Sequence, residues 1–219
     1  MKEYSTSKLN KVIRGSKRAS YDIATINQIL DDTFLCHIGY AFEGHAVVIP
    51  MAYARKENKI FLHGSLKNRM FMNILKAGKA SVTVTHLDGL VLARSAFHHS
   101  ANYRSVTVFG SVKIVDEIEQ KKEALAYMVN HMISGHWEHI RQPNEKELNA
   151  TLVIELTIET ASAKIRAQGA VDESKDYELP IWAGVIPIKQ VAGEAISDDR
   201  LLPEVELPHT VSRYVTENG

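Results

Sequence analysis

A short polar segment in the first third of the chain combines residue types that can bind an anion. It reads HGSLKNR and ends at Arg69. Gly64 allows close backbone approach, and the Ser65 hydroxyl can donate a hydrogen bond. Lys67 and Arg69 carry positive charge, and a helix beginning near Asn68 would add free N–H groups. The pattern indicates a phosphate site without P-loop spacing; the alternative is a capped helix with solvated basic side chains.

A second polar segment, SAFHHSANYRSVTVFG, leads into an apolar strand. Tyr103 and Ser105 are two residues apart and share one face of that strand. His98 and His99 are adjacent, so their side chains would point apart in an extended chain. His131, His136 and His139 have no cysteine or carboxylate partner at metal-ligand spacing. We therefore expect no metal site and interpret the histidines as surface or interface residues.

Composition excludes several classes of protein. The 219 residues include 26 Lys and Arg and 26 Asp and Glu, so the formal net charge is +0. Such a balance gives no overall attraction to nucleic acid or to an anionic membrane, and we expect neither as a partner. Cys36 is the one cysteine, which excludes an intramolecular disulfide, and its apolar surroundings predict a buried side chain.

The start of the chain and the lengths of its apolar runs indicate the cellular location of the protein. The first twenty residues are polar and basic and lack the apolar core of a signal peptide. The apolar runs elsewhere are too short to span a bilayer. We therefore expect a cytoplasmic protein.

Hydrophobic periodicity predicts the elements that position these segments. It predicts three helices, with Ser20 as the N-cap of the first. It also predicts six or seven short strands joined by turns, and hence an α+β protein with an antiparallel barrel. The predicted helices are at residues 21–31, 68–78 and 116–133. The predicted strands are at residues 34–40, 45–55, 59–63, 80–85, 90–95, 106–115 and 151–158, the last continuing towards 166.

We divide the chain into three parts. Residues 1–20 form a basic N-terminal arm, which either wraps a dimer partner or is a mobile tail. Residues 21–168 form the barrel domain. Residues 169–219 form a C-terminal extension that packs on the barrel or on a dimer partner. Prolines punctuate this extension and argue against long helices. They are Pro180, Pro187, Pro203 and Pro208.

Four motifs carry a resemblance to a known family: HAVVIPMAY, IFLHGSLKNRM, DGLVLARSAFHHSANYRSVTVFG and, more loosely, LPIWAG. Over residues 20–193 the chain resembles the FMN-binding split-barrel superfamily related to pyridoxamine 5′-phosphate oxidase. It is similar in particular to the branch of nitroimidazole-resistance and flavin-nucleotide-binding proteins. The resemblance implies a six-stranded antiparallel split β-barrel with flanking helices. It also implies a homodimer that binds two flavins at the subunit interface.

The resemblance further implies which residues hold the flavin. A strand would offer backbone groups to the isoalloxazine edge, and a strand end with the following helix start would hold the ribityl and phosphate groups. The first set is Val48, Ile49, Pro50 and Met51, and the second is His63, Ser65, Lys67, Asn68 and Arg69. Tyr103 and Ser105 would approach the flavin from the partner subunit. Trp182 matches a tryptophan near the flavin, or it anchors an interface. FMN is the expected cofactor, and FAD could extend past the same phosphate site.

A flavin carries the redox chemistry itself, so the chain needs no catalytic triad. The leading hypothesis is an FMN-dependent oxidoreductase acting on a small aromatic or heteroaromatic compound, with nitroimidazole as one example. His63 or His98 could orient or protonate the substrate.

Two other functions stay open. The chain could be a non-catalytic flavin- or haem-binding carrier or sensor, because related split barrels include haem-handling members and the ten histidines could supply an axial ligand. The third hypothesis is pyridoxamine 5′-phosphate oxidation. It is weakened because the Arg-x-His pair of that oxidase is absent, and the corresponding residues read VIPIK, ending at Lys189.

Overall fold

A computed structural model describes residues 2–219. In this part of the chain, nine strands form one antiparallel sheet and five helices accompany it. The helices are α1 (Ile23–Asp31), α2 (Arg69–Ala77), α3 (Ile118–Met132), α4 (Glu145–Ala150) and α5 (His209–Asn218). The strands are β1 (Ala19–Ser20), β2 (Leu35–Phe42), β3 (His45–Ala52), β4 (Ala54–Lys56), β5 (Lys59–Ser65), β6 (Lys79–Leu92), β7 (Ser100–Ile114), β8 (Thr151–Arg166) and β9 (Gly184–Pro187). The predicted α+β class is confirmed.

The order of the strands brings distant parts of the chain together. The main run is β3-β2-β6-β7-β8-β5-β4, while β1 pairs with β8 and β9 pairs with β6. Only Tyr53 separates β3 from β4, so the two ends of the run are joined through one residue. The Tyr53 side chain is fully buried, and its hydroxyl donates a hydrogen bond to the Leu30 carbonyl. This contact fixes the β3–β4 corner against α1.

The core lies between the inner face of the sheet and the apolar faces of α1 and α2. Ile26, Ile29 and Leu30 recur at helical spacing in α1, and all three are buried. Alternate residues of β6 and β7, such as Val82 and Val106, point to the same core. Each such side chain contributes about 1.5–3 kcal/mol on burial, which holds the helices on the sheet.

Cys36 belongs to this core, as predicted. It is fully buried, and its Sγ lies 3.3 Å from the Met51 carbonyl oxygen. Burial raises the pKa of the Cys36 thiol to about 12. The thiol is therefore protonated at neutral pH and is a packing group.

Two local expectations were wrong. Ser20 does not cap α1, because it lies in β1 opposite Ala163. Asp22 caps the helix instead, and its carboxylate accepts a hydrogen bond of 2.9 Å from the Thr25 N–H. The strands predicted at 80–85 and 90–95 are one strand, β6, whose pairing with β7 continues through an irregularity between Leu87 and Gly89.

The C-terminal extension contains regular elements that the sequence did not indicate. β9 pairs with the end of β6, and α5 begins directly after Pro208. The prolines therefore interrupt the extension only up to the start of this ten-residue helix. α4 was also missed, and β7 begins six residues before its predicted start. No helix within residues 2–219 is long and apolar enough to cross a membrane.

Candidate functional site

The start of α2 packs tightly against the end of β5 at Gly64. A Cβ atom at this position would lie 3.0 Å from Phe71 Cε2 and 3.1 Å from Asn68 Nδ2. Asn68 is the N-cap of α2, and its Oδ1 accepts a hydrogen bond of 3.3 Å from the Phe71 N–H. Its own N–H donates to the Ser65 carbonyl at 2.9 Å. Glycine at 64 thus lets the first turn of α2 sit directly beside Ser65.

Two cations and free N–H groups meet at this helix start. Neither Lys67 nor Arg69 takes part in an ion pair within residues 2–219. The Arg69 guanidinium lies 4.4 Å from the centroid of the Phe42 ring, a contact that leaves its N–H edge available. The first backbone bond of the helix runs from the Met72 N–H to Asn68, so the N–H groups before Phe71 have no partner inside the helix. These groups fit a bound phosphate.

β3 presents an open edge near this point. It is the last strand of the run and is hydrogen-bonded only to β2, so the backbone groups on its other edge are free. Pro50 has no N–H and is tolerated at such an edge. Val48 is 61% exposed, Ile49 is 37% exposed and Met51 is partly buried. The strand expected to contact the isoalloxazine therefore has free backbone groups along one edge.

The outer face of the sheet connects β3 to β7. Cys36 and Ile38 point into the core, so His37 points to the outer face, opposite Pro50 of β3 and Thr83 of β6. The row continues to β7, where Thr107 Oγ1 lies 3.1 Å from Thr83 Oγ1.

Tyr103 and Ser105 lie on this same outer face, paired with Leu87 and Thr85. Three strand spacings separate β7 from β3, roughly 14 Å along the sheet. Within one chain, the structure therefore does not bring Tyr103 and Ser105 to the edge of β3.

His63 lines an apolar cavity of about 360 Å³. Its Nδ1 is 3.3 Å from Met128 Sδ, and Leu125 and Trp137 are among the other lining residues. Neighbouring atoms displace water from the ring, and this desolvation lowers the pKa of His63. The imidazole is therefore neutral at pH 7.

The last two candidates contact the C-terminal extension. His98 Nε2 lies 3.5 Å from Glu173 Oε1, so this ring is an ion-pair partner when protonated. The Trp182 side chain is 66% exposed and covers Gly184, where a Cβ atom would lie 2.8 Å from the indole ring. Neither contact links these residues to the helix start at Asn68.

A larger cavity, of about 1030 Å³, was not indicated by the sequence. Its walls come from the α1–β2 turn, β2, β6, β7, the end of α3, residues 188–191 and the end of α5. We refer to it as the outer-face cavity because His37, Thr85 and Leu87 of the outer face line it. His86 and Arg104 line it from the opposite face of β6 and β7. No local pattern reveals it, because its lining residues are scattered from Asp31 to Gly219.

Arg104 lines the outer-face cavity and forms two ion pairs there. Its guanidinium pairs with Asp88 at 3.1 Å and also with Asp32. Hydrogen bonding to Asp88 and Asp32 outweighs desolvation and raises the pKa of Arg104. Within residues 2–219, no group of three His, Cys, Asp or Glu side chains has the geometry to hold a metal ion.

Comparison with known proteins identifies the family. The sequence model of the family described as pyridoxamine 5′-phosphate oxidase matches residues 22–165. The chain belongs to the pyridoxamine 5′-phosphate oxidase family. The resemblance expected from the four motifs is therefore confirmed. A search of curated proteins found no match.

Solved structures show the same fold. The flavocytochrome Anf3 from Azotobacter vinelandii is 36% identical, with a TM-score of 0.90 over 95% of this chain and 97% of that one. An FAD and haem binding protein from Mycobacterium smegmatis is 29% identical, with a TM-score of 0.85 over 90% of this chain and 97% of that one. A Bacteroides thetaiotaomicron protein assigned to 5-nitroimidazole antibiotic resistance is 18% identical, with a TM-score of 0.58 over 67% of this chain and 86% of that one. The last likeness concerns the fold alone.

Proposed function

We propose that this chain is a flavin-binding redox protein that holds its flavin at the interface of a homodimer. The observation that carries the proposal is the pair of cations, Lys67 and Arg69, which lack carboxylate partners within residues 2–219 and flank a helix start. When bound, the flavin supplies the hydride- and electron-transfer chemistry. The protein residues bind and orient it.

Two groups of predicted residues bind the flavin in this proposal. Ser65, Lys67, Asn68 and Arg69 hold the phosphate, and the open edge of β3 binds the polar edge of the isoalloxazine through backbone groups. FMN and FAD share these parts of the molecule, so the same residues serve both. FMN is the smallest ligand that these residues would bind. The likeness to the Mycobacterium smegmatis protein, which is described as binding FAD, favours the larger FAD.

A homodimer would bring together two groups of predicted flavin-binding residues that lie far apart within one chain. Tyr103 and Ser105 lie roughly 14 Å from β3, so the partner subunit would supply them. The outer face exposes apolar side chains that a partner would cover; Leu35 is 47% exposed and Leu87 is 49% exposed. The proposed split barrel consists of β2, β3 continued by β4, β5, β8, β7 and β6.

The proposed activity is oxidation or reduction of a small aromatic or heteroaromatic compound. The apolar cavity beside His63 has room for one small ring, and a neutral imidazole can donate one hydrogen bond and accept another. His98 is the other candidate for orienting a substrate.

The second candidate function is a protein that binds haem together with the flavin. The specific observation is that the likeness to the flavocytochrome Anf3 extends over 95% of this chain at 36% identity. The Mycobacterium smegmatis relative is also described as binding both FAD and haem. In this case the chain would transfer electrons between the two groups.

The test is a visible absorption spectrum of the purified protein, followed by mass analysis of the released cofactor. We expect flavin bands at about one flavin per chain, and the mass distinguishes FMN from FAD. Anaerobic reoxidation of the reduced protein by a nitroimidazole then tests the activity. A colourless chain that binds neither added FMN nor added FAD would contradict the proposal, whereas bound flavin that transfers no electrons would indicate a carrier.

A further inference from the structure

We propose that residues 193–207 of each subunit dock on residues 8–18 of the partner subunit, so that the two-fold symmetry of the homodimer repeats the contact. We refer to residues 193–207 as the acidic loop and to residues 8–18 as the basic segment. The inference rests on the homodimer of the proposed function and assigns a partner to two surfaces outside the proposed flavin site. It is carried by the exposure of the loop, by the charges of both segments and by their places in the sheet.

The acidic loop makes no hydrogen bond to the rest of its own chain. It lies between Ala192 and Pro208, and all fifteen of its residues are exposed. Its hydrogen bonds are local, such as the one of 3.0 Å from the Leu201 N–H to the Asp198 carbonyl oxygen, and none joins the loop to another part of residues 2–219. Loops of more than about 12–15 residues without regular structure are uncommon in compact domains and usually have a function.

The exposed surface of the chain is larger than that of a compact monomer. Ile196 is 95% exposed and Leu202 is 61% exposed, and three further apolar side chains of the loop are at least 43% exposed: Leu201, Val205 and Leu207. The whole chain exposes 14206 Å², whereas a compact monomer of 24.5 kDa exposes roughly 10,000 Å². The excess is sufficient for an obligate homodimer interface, which buries about 2,000–5,000 Å² counted over both subunits.

The two segments carry opposite charge. The acidic loop has five carboxylates and one arginine: Glu194, Asp198, Asp199, Glu204, Glu206 and Arg200. The basic segment has five cations and no carboxylate: Lys8, Lys11, Arg14, Lys17 and Arg18. Neither segment forms an ion pair in the part of the chain that the structure describes. Complementary surfaces of this kind steer association and select the partner.

The basic segment is fastened to the sheet and presents apolar surface together with its charge. Asn10 is buried, and its Nδ2 donates a hydrogen bond of 3.0 Å to the Ala161 carbonyl oxygen of β8. Leu9 is 60% exposed and Ile13 is 84% exposed. The segment therefore offers apolar side chains beside its cations, just as the acidic loop offers apolar side chains beside its carboxylates.

Within one chain, the two segments begin at opposite edges of the sheet. The basic segment leads into β1, which pairs with β8, and the acidic loop follows β9, which pairs with β6. Because β7 lies between β6 and β8, four strand spacings separate β1 from β9, roughly 19 Å. A two-fold axis can bring the loop of each subunit to the basic segment of the other. A second copy therefore supplies the opposite charge that each segment lacks in its own chain.

The experiment mixes two charge-reversal variants of the full-length protein. One carries Lys11→Glu with Arg14→Glu in the basic segment, and the other carries Asp199→Lys with Glu204→Lys in the acidic loop; all four side chains are exposed. Each variant alone has like charges at both contacts, so an effect of about threefold per contact weakens its homodimer about tenfold. Sedimentation velocity at low salt measures this weakening.

In the mixture, both contacts of a heterodimer again join opposite charges. Native mass spectrometry distinguishes the three dimers by mass and should find about nine tenths of them mixed if each contact contributes about threefold. In roughly 1 M ammonium acetate the Debye length falls to about 3 Å, and the mixed fraction should fall towards the statistical value of about half.

The matched control replaces the basic-segment variant with Lys79→Glu combined with Lys146→Glu. This variant makes the same change of charge at two exposed lysines that form no ion pair within residues 2–219. Mixed with the acidic-loop variant, it should give about half mixed dimers, because each heterodimer keeps one complementary contact and one like-charged contact. Circular dichroism reports whether each variant is folded.

The outcomes separate this contact from the homodimer on which it rests. A mixed fraction of about half for the two charge-reversal variants at low salt would overturn the contact, while a dimeric wild type would leave the proposed function standing. An acidic redox protein that binds the basic segment of an intact wild-type dimer would overturn the contact as well. A wild-type protein that is monomeric would remove both the proposed homodimer and this contact.

Discussion

The carboxylate of Asp172 accepts a hydrogen bond of 3.0 Å from the backbone N–H of Arg94, 78 residues earlier in the chain. It also accepts one of 3.3 Å from the Ser95 N–H and forms an ion pair of 3.2 Å with the Arg94 guanidinium. The Asp172 side chain is fully buried. This contact fastens the start of the C-terminal extension to the end of β6.

We expect Asp172→Asn to loosen the extension. The amide can still accept with its oxygen, but its NH₂ group would face the donors of Arg94 and Ser95. Limited proteolysis and hydrogen exchange over residues 169–193 should show faster cleavage and faster exchange. Glu178→Gln is the control, because Glu178 is exposed and forms no ion pair within residues 2–219. Unchanged protection in Asp172→Asn would show that other contacts hold the extension.

The stabilisation of the C-terminal extension by Asp172 should depend on pH. Burial alone would raise the pKa of this carboxyl, but hydrogen bonds from the Arg94 and Ser95 N–H groups and from the Arg94 guanidinium lower it. Its stabilising effect is therefore complete above the unfolded pKa of about 3.9 and is lost as the pH falls through the lower folded value. The difference between wild type and Asp172→Asn in hydrogen exchange should be constant near neutral pH and shrink below about pH 4.

Gly110→Ala should destabilise the fold strongly. A Cβ atom at Gly110 would lie 1.9 Å from the Thr157 carbonyl oxygen and 2.9 Å from Leu156 Cδ2, and the β7–β8 pairing holds that backbone in place. We expect a loss of about 3 kcal/mol or more in the free energy of unfolding, measured with urea. Gly169→Ala is the control: its Cβ atom meets nothing within 4 Å, so the change should be within about 0.5 kcal/mol.

Charge removal at the start of α2 should weaken flavin binding. We expect Lys67→Gln and Arg69→Gln each to raise the Kd for FMN by about 10- to 100-fold, since a charge-assisted hydrogen bond contributes about 1.5–3 kcal/mol. Fluorescence titration of the apoprotein measures the Kd. Lys76→Gln removes the same charge at the last turn of the same helix and should leave the Kd unchanged. Equal effects of all three variants would point to a general electrostatic cause.

Val48→Asp should weaken the proposed dimer. Val48 is 61% exposed on the outer face, and a partner subunit covering this face would bury the new carboxylate without a counter-ion. Size-exclusion chromatography with light scattering should show a shift from dimer to monomer, with loss of flavin. Ile118→Asp is the control, because Ile118 is exposed at the start of α3, where an acidic residue is tolerated. A Val48→Asp protein that stays dimeric would place the interface elsewhere.

The pKa of His63 should be lower than that of an ordinary histidine. Desolvation lowers the pKa of His63, so between that value and about 6.5 the unfolded chain binds more protons than the folded one. The contribution of His63 to stability is then full above about pH 6.5 and falls as the pH is lowered. NMR titration of the ring measures the pKa directly, and unfolding in urea at pH 5 and pH 8 should show a smaller pH dependence in His63→Gln. A measured pKa at or above about 6.5 would contradict the prediction.

The sequence alone determined the features whose partners are close along the chain. The helices α1, α2 and α3 follow from apolar residues three and four apart, because one helix face gathers them. The cationic start of α2 is also local, since Ser65, Lys67 and Arg69 lie within five residues of one another. The motif IFLHGSLKNRM contains this helix start, so the sequence predicted the residues of the proposed phosphate site, and local periodicity predicted the α+β class.

Only the tertiary structure decided the features that depend on distant partners. β6 is one strand because its pairing with β7 continues past Leu87, and Ser20 is in β1 because β8 lies beside it. The outer-face cavity likewise gathers residues from Asp31 to Gly219. Local periodicity reports only which side chains share a face. Which faces meet is set by strand register and by packing between segments far apart in the sequence, and those contacts leave no pattern in a single stretch of chain.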